Sequence, residues 1–255
     1  MKHFKIVLTA VITVLFFQNC SDDDSGSSPE PSAVITDNVG ALASSFLSST
    51  QFKSLKVEIA FEQSSQPEPA TLDSLKTFLE RRLNKPNGIS FINTVIPDQN
   101  KSSFSVADVR SIETGFRTVS NTSDEITAFF YFANGSFIDD TDSTATLGLA
   151  FNSSSMCLFE KTIMENTGGL GEARKADVEE GVLKHEFGHI LGLVNLGTAL
   201  QNQHEDADHP KHCDVQSCLM YFAINTQSFI GMMGVGSVPD LDAQCIADLR
   251  ANGGK

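Results

Sequence analysis

His185 and His189 stand four residues apart with Glu186 between them, inside the stretch from Asp177 to Asn195. On a helix, positions i and i+4 lie one above the other on the same face. Two imidazoles so placed can share one metal ion, and zinc suits such donors. The intervening carboxylate can then act as a general base toward water acidified by the metal. The remaining histidines point the same way. Of the six in the chain, all but His3 fall between residues 185 and 212: His185, His189, His204, His209 and His212. Histidines used only for packing would be spread along the chain.

The surrounding residues support a helix that presents this pair. Leu183, Phe187, Ile190, Leu191 and Val194 make an apolar stripe, and His185, Gly188, His189 and Gly192 lie opposite it. Glycines beside the histidines leave space above them. Asp177 with Glu180 three residues later has the spacing of a capping box at the helix start. Gly192 is placed to let the chain leave through a left-handed turn. The bland alternative is a helix carrying two surface histidines; a five-residue motif match placed on an expected amphipathic helix weighs against it.

His185-Glu186-Phe187-Gly188-His189-Ile190-Leu191-Gly192 resembles the opening of the metzincin zinc-peptidase signature. In that family a third ligand follows three residues after the Gly. Here that position is Asn195, whose carbonyl is a weak zinc donor. Further on, His212-Cys213-Asp214-Val215-Gln216-Ser217-Cys218-Leu219-Met220 is similar to the run that archaemetzincins, one branch of the family, carry directly after the Gly. The resemblance implies a 17-residue insertion from Asn195 to Lys211. It implies zinc held by His185, His189 and His212, Met220 packed in a turn beneath the metal, and Glu186 as general base in peptide-bond hydrolysis. The acidic insertion also holds His204, Glu205, Asp206, Asp208 and His209, any of which could supply the third ligand or a second metal site.

The archaemetzincin branch completes a structural zinc site with two downstream cysteines. This chain offers only Cys245, with Asp242 three before it. A Cys213–Cys218 disulfide, or one joining Cys157 to Cys245, is then at least as good a use of the thiols. The resemblance also makes the Gly148–Phe159 region a substrate-aligning edge strand that a peptide could extend by strand pairing. Two rivals stand beside this reading. One is a non-catalytic zinc-binding surface lipoprotein that binds glycans or proteins, against which the intact Glu186 speaks. The other is a different class sharing the His-Glu-x-x-His motif, with a downstream Glu such as Glu205 as ligand.

Ahead of the motif the chain alternates strands and helices. Lys53–Phe61, Ile89–Ile96, Glu125–Phe132, Leu147–Phe151 and Met156–Phe159 read as strands. The third is nearly all apolar and so expected at the centre. Thr71–Leu83 and Ser105–Val119 read as helices, and a last short helix runs through Leu241, Cys245, Ile246 and Leu249. The expected fold is α+β with an α/β-like, metzincin-like upper part: a twisted mixed sheet, two packing helices and the active-site helix. A mostly irregular lower part would end in a helix.

Composition bounds the setting. With 255 residues, 40% of them apolar, and 19 Phe, the chain can build a core. A formal charge of −14 argues against nucleic acid as a partner and against electrostatic docking on anionic lipid. Residues 1–19, with a basic start, an apolar run too short to span a membrane and Cys20 following, resemble a bacterial lipoprotein signal. The Ser21-Asp22-Asp23-Asp24 run resembles the surface-export tag of some Gram-negative lipoproteins. Residues 20–50 then read as a Ser/Asp/Pro-rich tether and 51–255 as the zinc metallopeptidase domain. The expected protein is an exported monomer, lipid-anchored at Cys20 to the outer membrane or cell surface of a Gram-negative bacterium, acting on protein or peptide. Asp139-Asp140-Thr141-Asp142 is read as a solvated loop whose oxygen density would also suit Ca2+.

Overall fold

The alternation of apolar and polar residues in Ser54–Glu62 (β1) makes a strand with two distinct faces. Val57, Ile59 and Phe61 enter one core and Ala60 the other. The computed structural model describes residues 38–226, 228–230 and 237–255. The signal-like start, Cys20 and the acidic run after it lie outside these.

Five strands form the main sheet in the order β2-β1-β4-β7-β6, where β2 is Ile89–Ile96, β4 Glu125–Ala133, β6 Gly148–Ala150 and β7 Ser155–Phe159. The first four are parallel and β6 is an antiparallel edge strand. β4 is the middle strand, as its near-continuous apolar run requires. It buries Phe130 and Phe132 on one face and Phe129 and Tyr131 on the other. Ser103–Phe104 (β3) and Ser136–Phe137 (β5) form a separate small parallel pair.

Helices cover both faces. Pro69–Arg82 (α2) starts with Pro at its first position, where a missing N–H costs nothing. It packs with Lys175–Ile190 (α5) over the Phe130 face. Val106–Phe116 (α3) covers the Tyr131 face and opens with a Ser105/Asp108 capping box. β1 reads as half-buried from its alternation but is buried on both sides. Glu58 is fully enclosed, and its carboxylate accepts from Thr94 Oγ1, Thr118 N and Oγ1, and Val119 N at 2.6–3.2 Å. The chain leaving α3 supplies the donors that make this burial tolerable.

The folded part begins ahead of residue 51. Ala43–Leu47 (α1) lies in the Ser-rich stretch read as tether, yet Phe46 and Leu47 are fully buried. Phe46 meets Phe187 of α5 edge-on at 5.6 Å. The buried Lys85 ammonium ties this segment down by donating to the carbonyls of Ser45, Ser48 and Phe52. Glu160–Glu165 (α4) follows β7, and Ala243–Ala251 (α6) is the last helix.

Candidate metal centre

The helix α5 starts at Lys175 with its cap at Arg174, nearly a full turn before the Asp177 that the capping pattern predicts. Arg174 is the N-cap and makes no side-chain cap bond. Asp177 sits in the first turn, paired with Arg174 and not with the helix backbone as a cap. The helix ends at Ile190, and Gly192 takes φ 72° in the left-handed region. Val194 and Asn195 follow at φ 51° and 67°. These left-handed residues make a sharp exit from the helix.

The structure brings His185, His189 and His212 together, one donor atom from each lying within 4.8 Å of the others. The tautomers of His185 and His212 follow from their partners. A carbonyl only accepts, so His185 Nδ1 carries a proton and donates to Leu219 O at 2.7 Å. In the same way His212 Nδ1 donates to Pro210 O at 3.1 Å. Each keeps a lone pair on Nε2. His212 Nε2 is buried without a hydrogen-bond partner, and His185 Nε2 lies 3.1 Å from His189 Nε2. Two nitrogens on one tetrahedral zinc would stand about 3.3 Å apart. Burial pushes the His185 imidazole down to about 3, and burial also lowers His189 and His212. Neutral imidazoles are the ligating form.

Met220 packs against α5 at Gly188, the residue before His189: a Cβ built on Gly188 would come within 2.3 Å of Met220 Sδ, so only glycine admits the thioether there. On the other side, Gly148 lets the edge strand lie against α5, since a Cβ there would meet Val182 Cγ1 at 2.5 Å and Glu186 Cγ at 3.1 Å. That approach brings the Ala150 N–H of β6 to 2.7 Å from Glu186 Oε2. A cleft of about 220 Å³ opens here, lined by Glu186, His189 and His212 together with Leu149 and Ala150 of the edge strand.

The other candidate ligands are placed elsewhere. Asn195 donates its amide to Glu205 Oε2 at 2.9 Å. His209 pairs with Asp206 at 2.9 Å and stacks on Phe222. His204 enters a second cluster with Cys213, Asp242 and Cys245. Its Nδ1 lies 3.4 Å from Cys213 Sγ and 4.0 Å from Cys245 Sγ. Cys218 Sγ stands 3.6 Å from Cys245 Sγ. A tetrahedral zinc with three thiolates and one imidazole would set these separations at about 3.8 Å for S···S and 3.5 Å for S···N. The far nitrogen of His204 donates to the buried Asp248 carboxylate at 2.7 Å, the orienting contact usual for a ligating histidine. Contact with Cys213 and Cys245 lowers the Cys218 thiol to about 4, while contact with Cys213 and Cys218 drives Cys245 up. Asp242 instead caps α6, accepting from Cys245 N at 2.8 Å.

All four described cysteines are buried free thiols, and Cys157 sits on β7 in the other core. Among the described residues these two clusters are where metal-type donors converge, and Asp139–Asp142 belongs to neither. The sequence offered His204 for the third ligand or a second metal site, but not its pairing with Cys213 and Cys245. Its spacing from Cys213 matches no motif, and Asp248 looks like an ordinary residue of the last helix.

No family model and no curated protein matches the sequence. Solved structures do. The chain superposes on archaemetzincin from Methanopyrus kandleri with a TM-score of 0.51 at 13% identity, over 78% of this chain and 96% of that one. A zinc-dependent peptidase from Methanocorpusculum labreanum gives 0.47 at 14% identity over 76% and 99%. Metalloproteinase-II from Bacteroides fragilis gives 0.46 at 12% over 86% and 57%. The architecture of mostly parallel sheet, flanking helices and the long α5 is thus that of the archaemetzincin fold.

Proposed function

We propose that this protein is a zinc-dependent endopeptidase in which His185, His189 and His212 hold the metal and Glu186 is the general base. The observation that carries this reading is the convergence of the Nε2 atoms of His185 and His189 at 3.1 Å with a third imidazole, His212, whose Nε2 is buried without a hydrogen-bond partner. Zinc, when bound, supplies a Lewis acid that polarises a carbonyl and lowers the pKa of water. Glu186, held by the Ala150 N–H, takes a proton from the attacking water and delivers it to the leaving amine. The edge strand β6 offers backbone groups to which an extended peptide can pair, which aligns the scissile bond along the cleft.

The second cluster is read as a structural zinc site of Cys213, Cys218, Cys245 and His204, with the histidine of the insertion standing where a fourth cysteine is missing. The lipoprotein-like start supports export and anchoring at Cys20. A Cys20→Ala chain should then fail to incorporate labelled fatty acid.

The experiment for the central claim compares wild type with Glu186→Gln on a broad peptide library while metal content is measured. Wild type should cleave, and the variant should keep its zinc and lose about 10²–10⁴ in rate. Cleavage that survives in Glu186→Gln would sink the mechanism. Wild type holding zinc at the three histidines but cleaving nothing would favour the binding-lipoprotein rival.

A further inference from the structure

The residue just before His212 is a lysine with its backbone in an expensive conformation. Lys211 has φ 72°, the region that favours Gly or Asn. Its N–H is held there by Glu205 Oε1 at 2.7 Å, and the other oxygen of Glu205 accepts from Asn195 at 2.9 Å. Glu205 therefore clamps both ends of the insertion, and the point from which the Lys211 side chain emerges is fixed beside a metal-binding histidine. A glycine would satisfy that backbone at lower cost. What the position gains from lysine is the side chain.

Lys211, an exposed residue, lines the mouth of the cleft, which is otherwise bounded by the apolar Val39, Leu149, Ala150 and Leu196 and by Glu186, His189 and His212. Lys211 is the only cation among these lining residues, in a chain of net charge −14. Among the described residues its ammonium enters no ion pair. Glu186, the acid in the same cleft, is engaged with Ala150. At about 220 Å³ the space suits one side chain and not a large ligand.

We propose that Lys211 is a specificity residue that receives a carboxylate of the substrate next to the cleaved bond, with Val39, Leu149 and Leu196 covering the apolar stem that carries it. The carboxylate could be an acidic side chain or a free C-terminus. This rests on the zinc-peptidase reading but concerns which peptide the site takes.

The test uses the zinc-loaded full chain and two pairs of peptide hydroxamates. One pair differs by Glu against Gln beside the hydroxamate, and the other by a free against an amidated C-terminus. Affinities are measured by calorimetry for wild type, Lys211→Gln and Lys211→Arg, with zinc content checked for each. Wild type should prefer the acid member of one pair by roughly 10- to 100-fold, the range of a charge-assisted hydrogen bond. Lys211→Gln should abolish that preference and Lys211→Arg should retain it. Whichever pair shows the effect identifies the source of the carboxylate. Equal affinity of wild type for both members of both pairs, or a preference that survives Lys211→Gln, overturns the assignment. Preference without any peptide cleavage would leave Lys211 its role and remove the peptidase. Cleavage without preference would do the reverse, and no hydroxamate binding at all would overturn both.

Discussion

Glu160 and Glu179 are fully buried and share one lysine, Lys175, at 2.7 and 3.1 Å. Glu179 also accepts from Thr71 Oγ1 at 2.7 Å and Glu68 N at 3.0 Å, so it holds the start of α2 to α5. Burial first, then the charge of Glu179, raises the Glu160 carboxyl well above its ordinary value. A folded pKa above the unfolded one contributes stability that is complete below the unfolded pKa, about 4.3, and is lost as pH rises toward the folded value. Glutamine mimics the protonated form. Glu160→Gln should therefore raise Tm at neutral pH by about 2–4 °C for each kcal/mol recovered, and the gain should vanish near pH 4. Thermal melts of both proteins across that range check this. A gain independent of pH would show that packing, not ionisation, is responsible.

At the scale of the element, the long helix works because its two faces carry different demands. Phe187 and Ile190 are fully buried in the core, while Gly188 on the histidine face admits Met220. A Gly188→Ala substitution improves helix propensity by up to about 1 kcal/mol. It also drives a methyl to 2.3 Å from a thioether that is itself fully buried. Overpacking of this kind costs about 1–3 kcal/mol, so the strain should win. The variant should bind zinc at the histidine site more weakly, by about tenfold or more, as read by competition with a chromophoric chelator. Shortening Met220 in the same chain should recover part of the loss. If affinity is unchanged, Met220 is filler and not a support for the histidines.

At the scale of the whole molecule, the two metal-type clusters are built on one short segment. Cys213 adjoins His212, and Cys218 precedes Leu219, whose carbonyl orients His185, and Met220. The second cluster also ties the insertion, through His204, to α6 through Cys245 and Asp248. Fully loaded protein should hold two zinc ions per chain, and His204→Ala should hold one. Because binding energy at a preformed site is also folding energy, that variant should melt lower and its remaining zinc should exchange faster. Elemental analysis with melting curves tests this. A His204→Ala protein that keeps two zinc ions would show that Asp242 supplies the fourth ligand.

The strands and helices were legible because burial imposes local periods. β2 spans Ile89–Ile96 as its pattern predicts, and β4 is central because only a strand covered on both faces can be apolar throughout. The pair His185 and His189 with Glu186 was legible for the same reason, since one helical turn relates them whatever the rest of the chain does. Relations across the chain were not. The burial of Glu58, the early start of the fold at α1 and the separate places of His204, His209 and His212 depend on long-range packing. So do the contact of Ala150 with Glu186 and the seat of Lys211. Sequence by itself determined which residues could ligate a metal and which helix would carry two of them. Only the tertiary structure decided that His212 joins that pair while His204 turns to the cysteines, because distance in space across a 17-residue insertion is set by packing, and no local period records it.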